Sequence, residues 1–209
     1  MSIRQRILTL VLTALMALVI AVVPSSAGGG NNVAVVSNTV DGQTLATAST
    51  QVIPVPMDTV TSGNVAVAVN AGCTSCHSSA VAVQVLIVVG SPHDFEPGNG
   101  AAAGNGGCES CGAFAYARQH WIQVSSPPVL GGAARAQIDQ IRQEIANVTS
   151  SILPSDGTTD PTLTRDHELV SELDALSAQL IQVVTSSLQD NGLTTSTLLD
   201  KTDESAPGS

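Results

Sequence analysis

Two closely spaced cysteine pairs carry the clearest chemical signal in the sequence. Residues 73–77 read Cys-Thr-Ser-Cys-His, and residues 108–112 read Cys-Glu-Ser-Cys-Gly. A Cys-x-x-Cys-His motif is the signature of covalent haem c attachment, which makes haem at Cys73, Cys76 and His77 one alternative. The second pair is followed by glycine, so the feature that the two segments share is the cysteine pair rather than a haem site.

The four cysteines together fit two further chemistries. Two Cys-x-x-Cys pairs can supply the four thiolates of a tetrahedral zinc site. Thiols of an exported protein meet an oxidising environment, and we therefore expect all four to form two disulfides and expect no cofactor. Four cysteines allow three pairings, and the sequence does not choose among them. The residues concerned are Cys73, Cys76, Cys108 and Cys111.

Catalytic constellations are weaker. A zinc protease needs two histidines one helical turn apart, but His167-Glu168 is followed by Ser171 where the second histidine should stand. We assign no catalytic residue and predict that the chain is not an enzyme. Tyr116, Arg118 and His120 alternate along one strand-like segment and form a candidate binding face; the alternative is the exposed side of an edge strand.

The N-terminus predicts export. Arg4 and Arg6 precede an apolar run over 7–23, and small residues lead to Ala27, which is typical of a secretory signal peptide over 1–27. Retention of the segment as a membrane anchor is the alternative. The remaining chain has five basic and 17 acidic residues, or −12, and only four aromatic residues. This charge disfavours nucleic acid and anionic lipid as partners.

An internal repeat defines the region that follows, residues 28–128. Segments 63–92 and 98–127 align without a gap and share 16 of 30 residues, and a degenerate first copy begins at Asn32. Each unit reads as two alternating apolar arms around a turn, which predicts a β-hairpin. We expect a module of three stacked hairpins, because a single unit cannot bury its apolar arms alone.

The apolar period changes after Pro128. Two runs with helical spacing over 129–190 predict an antiparallel helical hairpin, placed to cap the last repeat or to pair with another protomer. Residues 191–209 are polar and acidic and predict a disordered tail. The predicted fold class is therefore α+β.

The Asn-x-Ala-x-Ala-x-Asn arm at 64–70, the Cys-x-x-Cys turn and the Ala-x-Ala-x-Gln arm at 80–84 together resemble a repeat region of actinobacterial exported proteins. Such proteins are often labelled peptide zinc metalloproteases. The resemblance covers roughly residues 31–190, and the chain lacks the membrane-embedded protease portion of the larger relatives. It implies compartment and architecture, not proteolysis.

These observations lead to one functional expectation. We predict a secreted or cell-surface, non-enzymatic structural or interaction protein that is stabilised by disulfides and that associates with itself or with an extracellular protein. The alternative is a metal-binding or redox protein that uses the Cys-x-x-Cys pairs.

Overall fold

The computed structural model describes residues 30–55, 59–152 and 161–206. The predicted signal peptide over 1–27 lies outside the described residues. Within these described residues, six strands are followed by two helices and a seventh strand, which confirms the α+β class. Their bounds are β1 (Asn32–Asn38), β2 (Thr44–Val55), β3 (Thr59–Ala71), β4 (His77–Val89), β5 (Asp94–Gly106), β6 (Gly112–Val124), α1 (Gly132–Ser151), α2 (Pro161–Asp190) and β7 (Thr195–Ser205).

The strands form two sheets whose pairing follows the sequence repeat. One sheet has the order β1-β3-β5 and the other the order β2-β4-β6-β7. All pairs among the first six strands are parallel, and residues 35 apart are neighbours in β3 and β5, as Asn64 and Asn99 are. Each unit therefore contributes one strand to each sheet, as one coil of a parallel β-solenoid does.

This arrangement does not confirm the predicted hairpins. The two arms of a unit lie in different sheets instead of pairing with each other. The turn between them lets the chain cross from one sheet to the other, because Gly72 and Ser75 both adopt positive φ angles of 66° and 51°. An arm then finds its hydrogen-bond partner in the equivalent arm of the next unit, where the same side chains meet in register.

The space between the sheets is filled mainly by alanine over much of its length. The buried alanine cluster comprises Ala34, Ala66, Ala68, Ala80, Ala82, Ala113, Ala115 and Ala117, joined by Val36. Trp121 lies beyond this cluster among Leu86 and Val88, and its ring meets that of Phe95 edge-on with centroids 4.3 Å apart. Small side chains therefore fill one part of the interior and larger ones the other, as close packing requires.

The two helices cover the outer face of the four-stranded sheet. Ile138, Ile141 and Ile145 of α1 and Leu173 and Leu180 of α2 share one buried cluster with the outward-facing side chains of β4 and β6. The helices run antiparallel, because the backbone N–H of Gly131 before α1 donates to the Ser187 hydroxyl near the end of α2. The antiparallel pair is as predicted, but it lies on a sheet face and not over the end of the last coil.

The predicted disordered tail is wrong for residues 195–205. These residues form β7, which pairs antiparallel with β6 and covers the edge that β6 would otherwise expose. Asp200 and Asp203 of this acidic segment find partners in Arg118 and Asn99. Composition alone predicts disorder here, whereas an open strand edge and two specific polar partners order the segment.

Candidate functional site

Two stacked Cys-x-x-Cys turns lie at one end of β3–β6. Both turns have the same backbone conformation, with Ser75 at φ 51° and Ser110 at φ 54°. The Ser75 N–H donates to the Glu109 carbonyl at 2.8 Å, and Thr74 and Glu109 form an isolated parallel bridge. Because these hydrogen bonds continue the parallel register through the turns, each cysteine lies beside its equivalent in the next coil.

The four sulfur atoms form one compact group. Cys73 and Cys76 are joined by a disulfide, and Cys108 and Cys111 are thiols. The Sγ atom of Cys76 lies 3.0 Å from that of Cys111, and the Sγ atom of Cys108 lies 3.6 Å from those of both Cys73 and Cys76. All four sulfurs lie within 4.8 Å of one another. The structure thus contains one of the two predicted bridges.

The environment keeps the Cys108 thiol protonated at neutral pH. Burial, followed by its hydrogen bond with Cys111, raises the pKa of Cys108 to about 11. Since the thiolate is the form that attacks a disulfide, Cys108 is a slow nucleophile toward the neighbouring Cys73–Cys76 bridge. The bridge and the Cys108 thiol can therefore coexist at short range.

The first coil meets this cluster with oxygen atoms instead of sulfur. Asp41, at the position of the first cysteine, accepts a hydrogen bond from the Thr74 N–H at 2.7 Å. The Asn38 carbonyl oxygen lies 3.6 Å from the Cys73 sulfur. The Gly42 N–H donates to the Thr74 carbonyl at 2.9 Å. The first turn is thus held to the second by hydrogen bonds, and the sulfur cluster involves two coils.

The haem alternative does not fit this turn in its disulfide form. Cys73 and Cys76 are 2% and 0% exposed, and their sulfur atoms are bonded to each other. Thioether bonds to a porphyrin require both sulfurs to be free and to face the macrocycle. His77 begins β4 in the next position, and its Nδ1 atom is buried without a hydrogen-bond partner among the described residues.

Tyr116, Arg118 and His120 do lie on one face, but that face is covered. The Tyr116 hydroxyl donates to Asp174 of α2 at 2.7 Å, and Arg118 bridges Asp174 and Asp200 of β7 at 3.4 and 3.2 Å. Tyr116 is fully buried and His120 is 5% exposed. The three side chains hold α2 and β7 against β6, and in this state they are not an accessible surface.

Burial and charge shape the ionisation of this group. Burial and the contact with Asp174 raise the pKa of Tyr116. Burial works to lower the pKa of Arg118, but the hydrogen bond and charge of Asp200 outweigh it and raise the pKa. Burial lowers the pKa of His120 despite the opposing charge of Asp200, 3.6 Å away. The network therefore combines a neutral phenol, a charged guanidinium and an imidazole that resists protonation.

A ladder of asparagine amides is the feature that sequence reasoning missed. Asn32 donates to Asn64 at 2.8 Å, Asn64 donates to Asn99 at 2.7 Å, and Asn99 donates to the Asp203 carboxylate at 2.7 Å. A second amide contact between units, from Gln119 to Gln84 at 2.8 Å, is the one that the glutamine at the same place in each second arm does predict. The available signal was an amide at the same place in each unit of an otherwise apolar strand.

Further sequence expectations concern α2 and membranes. His167 lies in α2, but its side chain is outside the described residues. That this segment is not a zinc-protease site therefore stays a prediction. Within the described ranges, the cysteine cluster is the one group of three or more metal-ligating side chains that are close enough to share an ion. None of the described helices is long and apolar enough to cross a membrane.

No protein-family model, curated protein or solved structure matches the chain.

Proposed function

We propose that this chain is an exported, non-enzymatic structural or interaction protein that assembles through the first coil of its solenoid. The polar side chains that could otherwise bind a ligand support this proposal, because they already form ion pairs or hydrogen bonds within the chain. Arg118 is bound by Asp174 and Asp200, and Asn99 by Asp203. The Cys73–Cys76 bridge is consistent with an oxidising compartment.

The observation that carries the proposal is the open end formed by β1 and β2. Both strands are terminal in their sheets, and no described strand pairs with their outer edges. Val33 and Val35 on β1 are 40% and 50% exposed, and Val40 in the adjoining turn is 54% exposed. An edge strand with apolar side chains and unpaired backbone groups is a template for a further strand.

A second copy of the chain is the partner that this edge fits best. β1 already pairs in register with β3, whose sequence follows the same alternation of asparagine, valine and alanine. The first coil of a neighbouring copy offers that same pattern of side chains. Pairing of two first coils would continue both sheets and bury the exposed valines.

Light scattering after size exclusion, over a range of concentrations, tests this assembly on protein secreted from the native host. We expect the unaltered chain to self-associate and the double variant Val33→Lys, Val35→Lys to be monomeric, because lysine protects an edge from pairing. Ala178→Lys with Gln182→Lys, at exposed positions of α2, is the control that adds the same charge elsewhere. A monomer at every concentration, with no partner recovered from the cell exterior, would contradict the proposal.

A second candidate, metal binding or redox chemistry at the Cys-x-x-Cys turns, is favoured by one specific observation. The four sulfur atoms lie within 4.8 Å of one another although they come from two different coils.

A further inference from the structure

We propose that, once the Cys73–Cys76 bridge is reduced, the four cysteines bind one thiophilic divalent cation of the zinc class. The site would be structural, joining the second and third coils at their turns. This inference is independent of the assembly proposed above, because the cysteine turns and the first-coil valines are different residues with different measurable properties.

The sulfur positions are close to those of a tetrahedral site. Four thiolates at about 2.3 Å from a zinc ion are separated from one another by about 3.8 Å. The Cys73–Cys108 and Cys76–Cys108 separations are both 3.6 Å, and the Cys76–Cys111 separation is 3.0 Å. Opening the disulfide separates the closest pair, Cys73 and Cys76, and rotation of side chains can supply the remaining change, including that of the Cys76–Cys111 pair at 3.0 Å.

The backbone holds the two turns in place independently of the sulfur atoms. The Gly72 N–H donates to the Gly106 carbonyl at 2.8 Å, and the Gly112 N–H donates to the Cys76 carbonyl at 3.2 Å. Strands on both sides of each turn are paired along their full length. Because these contacts remain when the bridge is open, the reduced cluster keeps its four ligands together, which favours binding over separation of the turns.

The ligand set determines the class of cation. Thiolates select zinc and other soft cations over magnesium or calcium, which prefer oxygen. Four protein ligands leave no open coordination position, which is the arrangement of structural rather than catalytic zinc. Cys73 and Cys76 are buried and Cys108 and Cys111 half-buried, so the site is partly shielded from water.

The chemistry balances with a phosphine as the reductant. One phosphine and one water convert the Cys73–Cys76 disulfide into two thiols, and the phosphine becomes its oxide. One divalent cation then replaces the four thiol protons, giving a tetrathiolate complex of charge −2 and four released protons. The disulfide form has two thiols fewer and is expected not to form this complex.

Cobalt(II) titration of the full-length protein, before and after anaerobic phosphine reduction, tests the proposal. We expect reduced protein to bind one equivalent of Co²⁺ with intense sulfur-to-cobalt charge-transfer absorption and tetrahedral visible bands. Added Zn²⁺ should abolish these bands. Oxidised protein should show none of them. Absence of the bands after reduction, or the same bands before it, would overturn the proposal.

Matched variants separate thiolate ligation from other binding at the turns. Cys111→Ser, which retains the Cys73 and Cys76 turn, should weaken Co²⁺ binding by at least about 100-fold. Glu109→Gln, in the same turn and exposed, should bind like the unaltered chain. Equal loss in both variants would overturn the assignment of the sulfur ligands. Light scattering on the same samples reports the assembly separately, so failure of one proposal is distinguishable from failure of the other.

Discussion

The side-chain amide of Asn99 donates to the carboxylate of Asp203 at 2.7 Å, joining residues 104 positions apart. This contact ends the ladder that begins at Asn32 and passes through Asn64. Because each asparagine donates to the next, the last amide of the row, that of Asn99, still has an N–H to donate. The Asp203 carboxylate on β7 accepts it. The bond therefore connects the order of the C-terminal strand to the polar interior of all three coils.

Removal of this carboxylate should destabilise the protein. For Asp203→Ala we expect a loss of about 1–2 kcal/mol in the free energy of unfolding, because a hydrogen bond to a charged acceptor is lost at a half-buried position. Urea denaturation followed by circular dichroism measures it. Glu204→Ala removes the same charge at an exposed position of β7 and should change stability by less than about 0.5 kcal/mol. Equal effects would show that the ladder end contributes nothing.

Loss of the middle amide of the ladder should lower stability more than loss of an amide in the second row, which Asn70 and Asn105 form. Asn64 is fully buried, so Asn64→Ala leaves the side-chain carbonyl oxygen of Asn99 without its donor and opens a small cavity. We expect a cost of about 2–3 kcal/mol in unfolding free energy. The comparison is Asn105→Ala, an exposed amide that accepts from Asn70 in a second row, which should cost less. A larger loss for Asn105→Ala would contradict this account.

The alanine interior should not tolerate larger side chains. Ala115 is fully buried between the sheets, and Ala115→Val inserts two methyl groups where alanines of both sheets meet. We expect a loss of about 1–3 kcal/mol by thermal or chemical denaturation. The same substitution at Ala102, on the outer face of β5, is the control and should be neutral or mildly stabilising. Tolerance at both positions would contradict close packing of the sheets.

Stability should fall in mild acid because of His120. Burial lowers the pKa of His120 in the folded protein below its ordinary value of 6.5, so the unfolded chain binds the proton more readily. The contribution is fully present above about pH 6.5 and decreases as the pH falls toward the folded-state pKa. Replacement by the neutral His120→Gln should flatten the dependence of unfolding free energy on pH between about pH 7 and about pH 5.

The groups facing His120 are Asp200 and Arg118, which act in opposite directions on its charge. The corresponding control is His93→Gln, since His93 is an exposed histidine in the loop before β5. That variant should retain the pH dependence of the unaltered protein. An unchanged slope for His120→Gln would show that another group dominates in this range.

Oxidation should form the second bridge within its own turn. Ser75 and Ser110 give the two turns the same backbone conformation, and the first turn already holds a local bridge. We therefore expect Cys108–Cys111 to join Cys73–Cys76 in exported protein, as two short loops. Peptide mapping without reduction identifies the linked pairs. Free thiols or bridges between the turns in exported protein would contradict this expectation.

The sequence by itself determined the α+β class, the periods of strand and helix, the antiparallel helices and the place of the cysteine pairs at equivalent positions of two units. These properties follow from local alternation and from a 35-residue spacing, both of which are visible along the chain. Alternation alone does not distinguish an arm that pairs within its unit from one that pairs with the next coil. Both choices place Ala80 and Ala82 on one side and Val81 and Val83 on the other.

Only the tertiary structure decided that the strands pair in parallel, that Tyr116 and His120 are covered, and that residues 195–205 are ordered. The covering of Tyr116 and the order of the last strand depend on partners more than 50 positions away, Asp174 for Tyr116 and Asn99 for Asp203. The parallel pairing joins residues 32 to 35 positions apart, in neighbouring units. A polar, acidic segment has no reason to order until an open edge and matching donors are brought to it. The open edge and the donors exist only after the coils have stacked, which is why local sequence patterns did not predict the order of this segment.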